Sequence, residues 1–389
     1  MQTLLEAPAD VAQRQGRGAQ IVLCGGVTGG HLIPGLAVAD ELQWLFPDAT
    51  ITFVGAGKAW ERRLVHERGY EYMAVACRPK PESVWGTWEF VSAQWSGYRA
   101  ARQFLDQRPT DVVIGLGGYA SAPMARAALR ANVPLVLLEQ NVIAGRATKW
   151  LASEASLVCA AFPEVRRQLR SSSNLRITGN PLRRAFSQLA REQHAHRSPC
   201  RRDVRRVVVL GGSQGAAQLN ESVPRALYKA GAAQRGWSIV HQSGEPGQAA
   251  TRALYRKLGL RAIVAPFIEP MAELLAATDL VVSRAGGTAL AEFAAAGVPA
   301  VLLPYPHSRD RHQARNAEYF ARSGAAVVVD TRAKRARVDD ACAASVVALA
   351  DDRAKRVSMR EAMLRQARPH ASAHVAEMVG ELLALRRTG

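Results

Sequence analysis

Residues 20–46 read QIVLCGGVTGGHLIPGLAVADELQWLF, and their reading decides the fold. A short apolar run enters a cluster of glycines, and the glycines enter a segment with apolar residues at helical spacing. Strand, glycine-rich turn and amphipathic helix in that order form the building unit of a parallel α/β sheet. The succession recurs. ITFVGAG (51–57) precedes a helix around Glu61–Gly69, DVVIGLGGYASAP (111–123) precedes one near Met124–Ala131, and PLVLLEQN (134–141) follows. It starts afresh with RRVVVLGGSQGAAQLNESVPRAL (205–227), then SIVHQSG, AIVAPF, LVVSRAGGTALAEFAAAG, PAVLLPYP and AAVVVD (325–330). Two such series imply two Rossmann-like, doubly wound domains with sheets covered on both faces. The expected division is an N-terminal extension (1–19), a first domain (20–182), a second domain (183–365) and a closing segment (366–389). The helix of that segment, about Ala371 to Arg387, is placed to pack back on the first domain. The polar, basic stretch Gln188–Asp203 reads as the connection. Ligands in such folds bind beyond the carboxyl ends of the strands, so the turns are where chemistry is expected.

Composition sets limits. The chain has 389 residues, 48% hydrophobic and 22% charged, which suits two globular domains and excludes wholesale disorder. Its five cysteines are scattered and odd in number, with no C-x-x-C pair, so neither a disulfide framework nor a zinc site is implied. The first nineteen residues carry early acids and no sustained apolar core, and do not read as a signal peptide. No apolar run approaches the roughly 18–20 residues needed to span a bilayer. The formal charge of +18, concentrated at Arg197–Arg206, Arg332–Arg337 and Arg386–Arg387, favours anionic lipid, phosphorylated substrates or nucleic acid. No zinc finger, ribonucleoprotein signature or basic aromatic platform is present, which argues against nucleic acid.

The first turn is Gly25-Gly26-Val27-Thr28-Gly29-Gly30-His31, before a helix that Pro34 is placed to help start. Its glycines let backbone N–H groups approach an anion at a helix N-terminus. A histidine at that mouth is of a type that takes a proton near neutral pH. Gly115–Pro123 repeats the logic with Gly117, Gly118 and Tyr119. Glu139-Gln140-Asn141 are suited either to bonding a sugar or to capping the next helix. In the second half, Gly211–Ala216 places Ser213 and Gln214 in a glycine turn. Ser283–Glu292 sets a carboxylate one helical turn past a glycine pair, where an acid can read a ribose diol. Asp310-Arg311-His312-Gln313 and Asn316 form a polar cluster suited to a sugar. No G-x-x-x-x-G-K-[ST], G-x-S-x-G or H-E-x-x-H motif is present, and the dinucleotide fingerprint is not cleanly met.

Taken in order, T-G-G-H-x-x-P-G, G-G-Y-x-S-x-P, E-Q-N-x-I-A-G, K-W-L-A, G-N-P-x-R, G-G-S-Q-G-A, R-x-G-x-x-x-x-x-E and H-Q-x-x-N-A span about Gln20 to beyond Asp330. This series resembles the MurG family of peptidoglycan N-acetylglucosaminyltransferases, in glycosyltransferase family 28. The resemblance implies a GT-B fold, two Rossmann-like domains facing a central cleft. It implies UDP-N-acetylglucosamine as donor and lipid I as acceptor, with lipid II formed by inversion at the cytoplasmic face of the membrane. It implies peripheral attachment to an anionic membrane surface, other cell-wall synthesis proteins as partners, and no cofactor or catalytic metal. By position, His31 would be the catalytic base. Thr28, Gly29, Gly30, Gly117, Gly118, Tyr119, Glu139 and Gln140 would hold the acceptor and its diphosphate. Asn141, Arg183, Ser213, Gln214, Ile268, Thr288, Glu292, His312 and Gln313, with Thr28, Gly29 and Gly30, would hold the UDP-sugar. Trp85, Trp88 and Trp95, following Arg78 and Lys80, suit a bilayer interface or a buried aromatic cluster.

Three positions depart from the family pattern. Val27 stands where a glycine is usual, Leu138 where many members carry a histidine, and Ala289 where a hydroxyl is common. A different lipid or natural-product acceptor, or a degenerate membrane-associated binding protein, are the alternative readings.

Overall fold

The computed structural model describes residues 18–81, 86–196, 200, 202–212, 215–306, 308 and 311–388. The chain divides into two compact units. The first holds residues up to Glu139, Ala144–Pro181 and His370–Gly389; the second holds Gln140–Ile143 and Leu182–Pro369. Four residues after Glu139 thus belong to the second unit, so the boundary is not a single cut near residue 182.

In the first unit β1 (Gln20–Cys24) leads to α1 (Gly29–Leu45), β2 (Thr50–Gly55) to α2 (Ala59–His66), and β3 (Glu71–Ala74) to α3 (Thr87–Gln107). Next come β4 (Val112–Gly115), α4 (Ala122–Arg130), β5 (Leu135–Glu139), α5 (Arg146–Leu151), β6 (Leu157–Ala160) and β7 (Leu175–Ile177). All seven strands are parallel, in the order β3-β2-β1-β4-β5-β6-β7. The central strands are almost wholly buried, which is why they read as continuous apolar runs. β3 and β7, at the edges, are largely exposed and carry no such run. In register, Leu23 lies beside both Phe53 and Ile114.

The second unit opens with α6 (Arg184–His196) and then β8 (Arg206–Leu210), α7 (Ala217–Lys229), β9 (Ser238–Gln242), α8 (Gln248–Lys257), β10 (Ala262–Ala265) and α9 (Met271–Ala276). It continues with β11 (Leu280–Ser283), α10 (Gly287–Ala296), β12 (Ala300–Leu302), α11 (His312–Arg322), β13 (Ala326–Val328), α12 (Arg335–Asp351) and α13 (Arg353–Gln366). Its six parallel strands run β10-β9-β8-β11-β12-β13. The expected connection at Gln188–Asp203 is corrected here. Through His196 it is helix α6, which buries Phe186, Leu189 and Ala190. Polar residues on its outer face hide that apolar stripe in the sequence.

The last helix, α14 (Ala371–Thr388), belongs to the first unit. Val375, Ala376, Val379 and Leu383 join the core cluster of Leu36, Val38, Ala39 and Leu42 on α1. Gly380 permits the approach: a Cβ there would sit 3.0 Å from the Phe46 ring.

Each sheet reverses strand order once, between β1 and β4 and between β8 and β11. The glycine turns after those strands therefore lie at the topological switch points, where open α/β sheets bind ligands.

Candidate functional site

In the first unit, Gly25 and Gly26 carry φ of 124° and 104°, so the two glycines absorb the left-handed geometry of the turn. A Cβ on Gly25 would lie 2.6 Å from the Gly117 carbonyl oxygen, so the turns after β1 and β4 are packed backbone to backbone. Gly117 and Gly118 also have positive φ, at 93° and 76°. Val27 does not, and its side chain is buried; the missing glycine is accommodated because the strained geometry falls on its neighbours. Helix α1 starts at Gly29, so Pro34 sits inside it rather than at its first position. Next to Pro34, Gly35 brings α1 against Leu116, whose Cδ1 would be 2.5 Å from an added Cβ.

Thr28 takes the N-cap position of α1, and its Oγ1 lies 3.0 Å from His31 Nδ1. His31 lies half-buried beside the second turn, with ring atoms 3.9 Å from where a Gly118 Cβ would stand. Ser121 Oγ donates to the Gly118 carbonyl at 2.9 Å and fixes that turn. Tyr119 is half-buried; burial, with the neighbouring Cys77 and Glu61, pushes its pKa up, so it remains a hydrogen-bond donor. Thr28, Gly29, Gly30, His31, Gly117, Gly118 and Tyr119 thus share the switch point of this sheet.

Glu139 ends β5 and is buried. Its Oε2 accepts from the Gly145 N–H (2.7 Å) and Thr148 Oγ1 (2.8 Å), at the start of α5. Of the two uses open to it, that carboxylate oxygen serves the cap. Leu138 is buried in the apolar cluster with Ile114 and Val136, a setting in which leucine packs well. On α3, Trp88, Val91 and Trp95 are 79%, 50% and 58% exposed, at i, i+3 and i+7 on one face. Trp95 stacks on Tyr98, with Arg99 over its ring at 5.8 Å. Arg78 pairs with Glu89 at the foot of this helix. These two tryptophans are not a buried cluster, and Trp85 lies outside the described residues.

In the second unit, Gly287 begins α10 so tightly against the Gln140 carbonyl that a Cβ would sit 2.1 Å from it. Asn316 is fully buried and holds this region together. Its Oδ1 accepts from the Val142 N–H (2.9 Å), and its Nδ2 donates to Asn141 Oδ1 (3.0 Å) and the Ala285 carbonyl (3.1 Å). It fixes Asn141 rather than offering itself to a ligand. His312 Nδ1 is 3.0 Å from the Ile143 carbonyl, which can only accept, so Nδ1 carries a proton. Gln313 Oε1 accepts from the Tyr305 N–H at 2.8 Å.

Arg183 bonds two carboxylates, Glu292 Oε1 at 3.0 Å and Glu269 Oε1 at 2.5 Å, and lies over the Phe186 ring. Burial raises the Glu292 pKa, and the Arg183 cation pulls it back only in part. Burial of Arg183 opposes its charge, but the two carboxylates outweigh that and hold its pKa above the ordinary value. Arg183 Nε is buried with no hydrogen-bond partner among the described residues. A cation with donor capacity to spare beside a buried acid is equipped to meet a diphosphate and a diol. Thr288 is buried on the same first turn of α10, Ala289 is half-exposed next to it, and the Ile268 N–H is held by Gln242 Oε1 at 3.1 Å. Ser213 and Gln214 lie outside the described residues.

Sequence reasoning missed two groups. Arg284 is buried at the end of β11, and its guanidinium donates to the carbonyls of Leu303 (2.8 Å) and Pro304 (3.2 Å) and to Gln218 Oε1 (3.3 Å). Burial lowers its pKa to about 10. His241, Asn220 and Tyr255 form a buried polar chain behind the turn after β8. The signal for His241 was its place in SIVHQSG, a polar residue in an otherwise buried strand.

The model of the glycosyltransferase family 28 N-terminal domain matches residues 21–159, and that of the C-terminal domain matches 206–373. The chain is 38% identical over 368 residues to the UDP-N-acetylglucosamine--N-acetylmuramyl-(pentapeptide) pyrophosphoryl-undecaprenol N-acetylglucosamine transferase of Sorangium cellulosum, across 93% of this chain and 88% of that one. The protein of the same name from Stutzerimonas stutzeri is 38% identical over 373 residues, covering 94% and 99%. Among solved structures, Acinetobacter baumannii MurG matches with a TM-score of 0.71 at 29% identity, over 93% of this chain and 99% of that one. The calicheamicin glycosyltransferase CalG4, at 19% identity and a TM-score of 0.64, shares the fold. Two Rossmann-like units, each with an all-parallel sheet and glycine turns at its switch point, are those of a GT-B glycosyltransferase. Within that class, the chain belongs to the MurG family of glycosyltransferase family 28.

Proposed function

We propose that this glycosyltransferase moves N-acetylglucosamine from UDP-N-acetylglucosamine to the 4-hydroxyl of the muramoyl sugar of lipid I, giving lipid II with inversion at the anomeric carbon. Support comes from the relatives, which are matched over 88% and 99% of their length and whose names give a transfer of N-acetylglucosamine between UDP-N-acetylglucosamine and N-acetylmuramyl-(pentapeptide) pyrophosphoryl-undecaprenol. The observation that carries the mechanism is the placement of His31, at the mouth of two interlocked glycine turns with Nδ1 against Thr28.

In this reading the acceptor hydroxyl gives its proton to His31 and its oxygen attacks the anomeric carbon. The bond from that carbon to the β-phosphate oxygen breaks, and UDP leaves with the electron pair. The first-unit turns at Thr28–Gly30 and Gly117–Tyr119 present N–H groups to the acceptor diphosphate. In the second unit Glu292 reads the ribose diol, Arg183 and Ser213 meet the diphosphate, and Ile268 frames the base. Asn141, His312 and Gln313 hold the sugar. Charge growing on the leaving diphosphate is met by dipoles and a cation already in position, the arrangement that contributes most to catalysis of this kind. Pairing of Arg183 with Glu292 holds both side chains before donor arrives.

The exposed face Trp88–Val91–Trp95 beside basic residues fits a peripheral enzyme docked on anionic lipid at the cytoplasmic face, where lipid I is presented. No helix among the described residues is long and apolar enough to cross a membrane. Binding to anionic vesicles is expected to weaken with added salt. The decisive assay is UDP release from UDP-N-acetylglucosamine, with and without a soluble lipid I analogue. Release that depends on acceptor is the expected result. UDP binding without release would favour a degenerate binding protein or a different acceptor.

A further inference from the structure

The carboxyl end of β9 is the joint of the second unit. The Gln242 carbonyl accepts from the Gly211 N–H at 3.1 Å, and Gln242 Oε1 accepts from the Ile268 N–H at 3.1 Å. The Ser243 carbonyl lies 2.2 Å from where a Gly215 Cβ would stand. Ser243 and Gly244 donate their N–H groups to the Ala265 and Pro266 carbonyls at 3.0 and 3.2 Å. Loops that follow β8, β9 and β10 all meet on these three residues.

A side-chain chain stands behind them, and its polarity can be worked out. Asn220, on the first turn of α7, donates through Nδ2 to the Ser243 carbonyl at 2.9 Å. The reversed amide would set oxygen against oxygen, so Oδ1 must face His241 Nε2, 3.0 Å away. An amide oxygen only accepts, so Nε2 carries the proton. The neutral ring then accepts at Nδ1, and Tyr255 Oη, at 3.0 Å, is the donor. Every bond points the same way: Tyr255 to His241, His241 to Asn220, Asn220 to Ser243. His241, Tyr255 and Asn220 are all buried, and Gly247 leaves room for the Asn220 amide, which a Cβ would approach to 2.1 Å. A core residue needs only apolar contacts to fill this space. A chain of aligned donors that ends on one backbone carbonyl fixes a position.

We infer that His241 is a positioning residue for donor binding: held by Tyr255 and acting through Asn220, it sets the Ser243 carbonyl and with it the Gly211, Gly215 and Ile268 backbone that receives the nucleoside diphosphate. The inference rests on the reading of the second unit as the donor half. Neither His241 nor Tyr255 touches substrate in this arrangement. Their loss weakens the donor and spares the chemical step.

The test is calorimetric titration of UDP into the full-length wild type and the variants His241→Leu, His241→Gln and Tyr255→Phe, with melting temperatures and steady-state constants for donor alongside. His241→Leu leaves Asn220 Oδ1 without its donor and the Ser243 carbonyl unfixed, and an affinity for UDP about tenfold weaker is expected, the order of one hydrogen bond to the diphosphate lost as the backbone shifts. The donor KM rises in proportion, and kcat at saturating donor stays within about twofold, the pattern of lost uniform binding. His241→Gln, whose amide can still donate to Asn220, recovers most of the affinity. Should His241→Leu not fold, Tyr255→Phe reads the same chain with one hydroxyl removed, and an affinity about threefold weaker is expected. A lowered melting temperature with unchanged UDP affinity in the folded variants would overturn the inference and reduce the chain to a core brace. If the wild type itself binds no UDP, the donor reading fails first and this one with it.

Discussion

The glycine turns at the two switch points look alike in sequence and differ in what stands behind them. After β1, the polar side chains sit at the front: Thr28 is exposed, His31 is half-buried, and they pair with each other over a single helical turn. Behind the turn after β8, His241 and Asn220 are buried and bonded in a chain that ends on backbone, and at the turn after β11 buried Asn316 likewise bonds the Ala285 carbonyl. A group that must exchange a proton with a substrate has to be reachable. Groups that hold a charged ligand in one geometry work best when locked before it arrives. Under the proposed function, the first turn serves reaction and the second serves grip.

The largest expected effect comes from the front of the first turn. His31→Ala removes the proposed base and should lower turnover by about a thousandfold, in the range of general-base catalysis. Steady-state UDP release with acceptor present measures it, and a loss under about tenfold would remove the base assignment.

Next is the ion pair of the second unit. Glu292→Gln should weaken donor affinity by about thirtyfold, because a charge-assisted bond to the diol becomes a neutral one. It should also cost about 2 kcal/mol of stability, less than for an isolated buried pair because Arg183 retains Glu269. Urea unfolding and UDP titration separate the two. Stability loss without affinity loss would make Glu292 a structural partner of Arg183 and nothing more.

The back of the second turn should show itself in pH. Burial lowers the His241 pKa from 6.5 to about 3. Between those values the unfolded chain binds a proton that the folded one does not, so stability rises with pH there and falls on acidification. At about pH 5 the loss from this group is about 2 kcal/mol. Urea unfolding at neutral and acid pH should show a flatter slope for His241→Gln than for wild type. Equal slopes would mean that the ring takes up its proton in the folded state.

The smallest effect is at Val27. Its φ is not in the left-handed region, so Val27→Gly gains nothing in the turn and gives up a buried side chain. Stability should fall by about 1 kcal/mol, with activity unchanged to within about twofold. A severalfold gain in activity would show that the valine distorts the turn after all.

Much of this was legible in sequence, for physical reasons that vary by element. The central strands of both sheets are buried on both faces, and parallel burial writes itself as apolar runs such as RVVVL and QIVLC. The edge strands β3 and β7 are too exposed to leave that mark. Helix α6 reads as a connection in sequence because polar residues crowd its outer face, while Phe186, Leu189 and Ala190 are buried. At the sites, glycine turns announce themselves because few other residues tolerate their φ. The clustering of Thr28, His31 and Tyr119 follows from strand order. Arg284, the partners of His241 and the internal use of Asn316 could not be read in this way. Their partners are backbone carbonyls and side chains remote in sequence, which no spacing reveals. Glu139 shows the same limit, since its motif allowed a sugar contact and a cap alike, and the structure puts one oxygen on the cap.

The proposed division between reaction and grip meets its most direct test in one titration, UDP into His31→Ala. An affinity equal to that of the wild type, in a protein that no longer turns over, is the predicted result. An affinity that falls together with turnover would contradict it, because His31 would then belong to donor binding and the two turns would share one task.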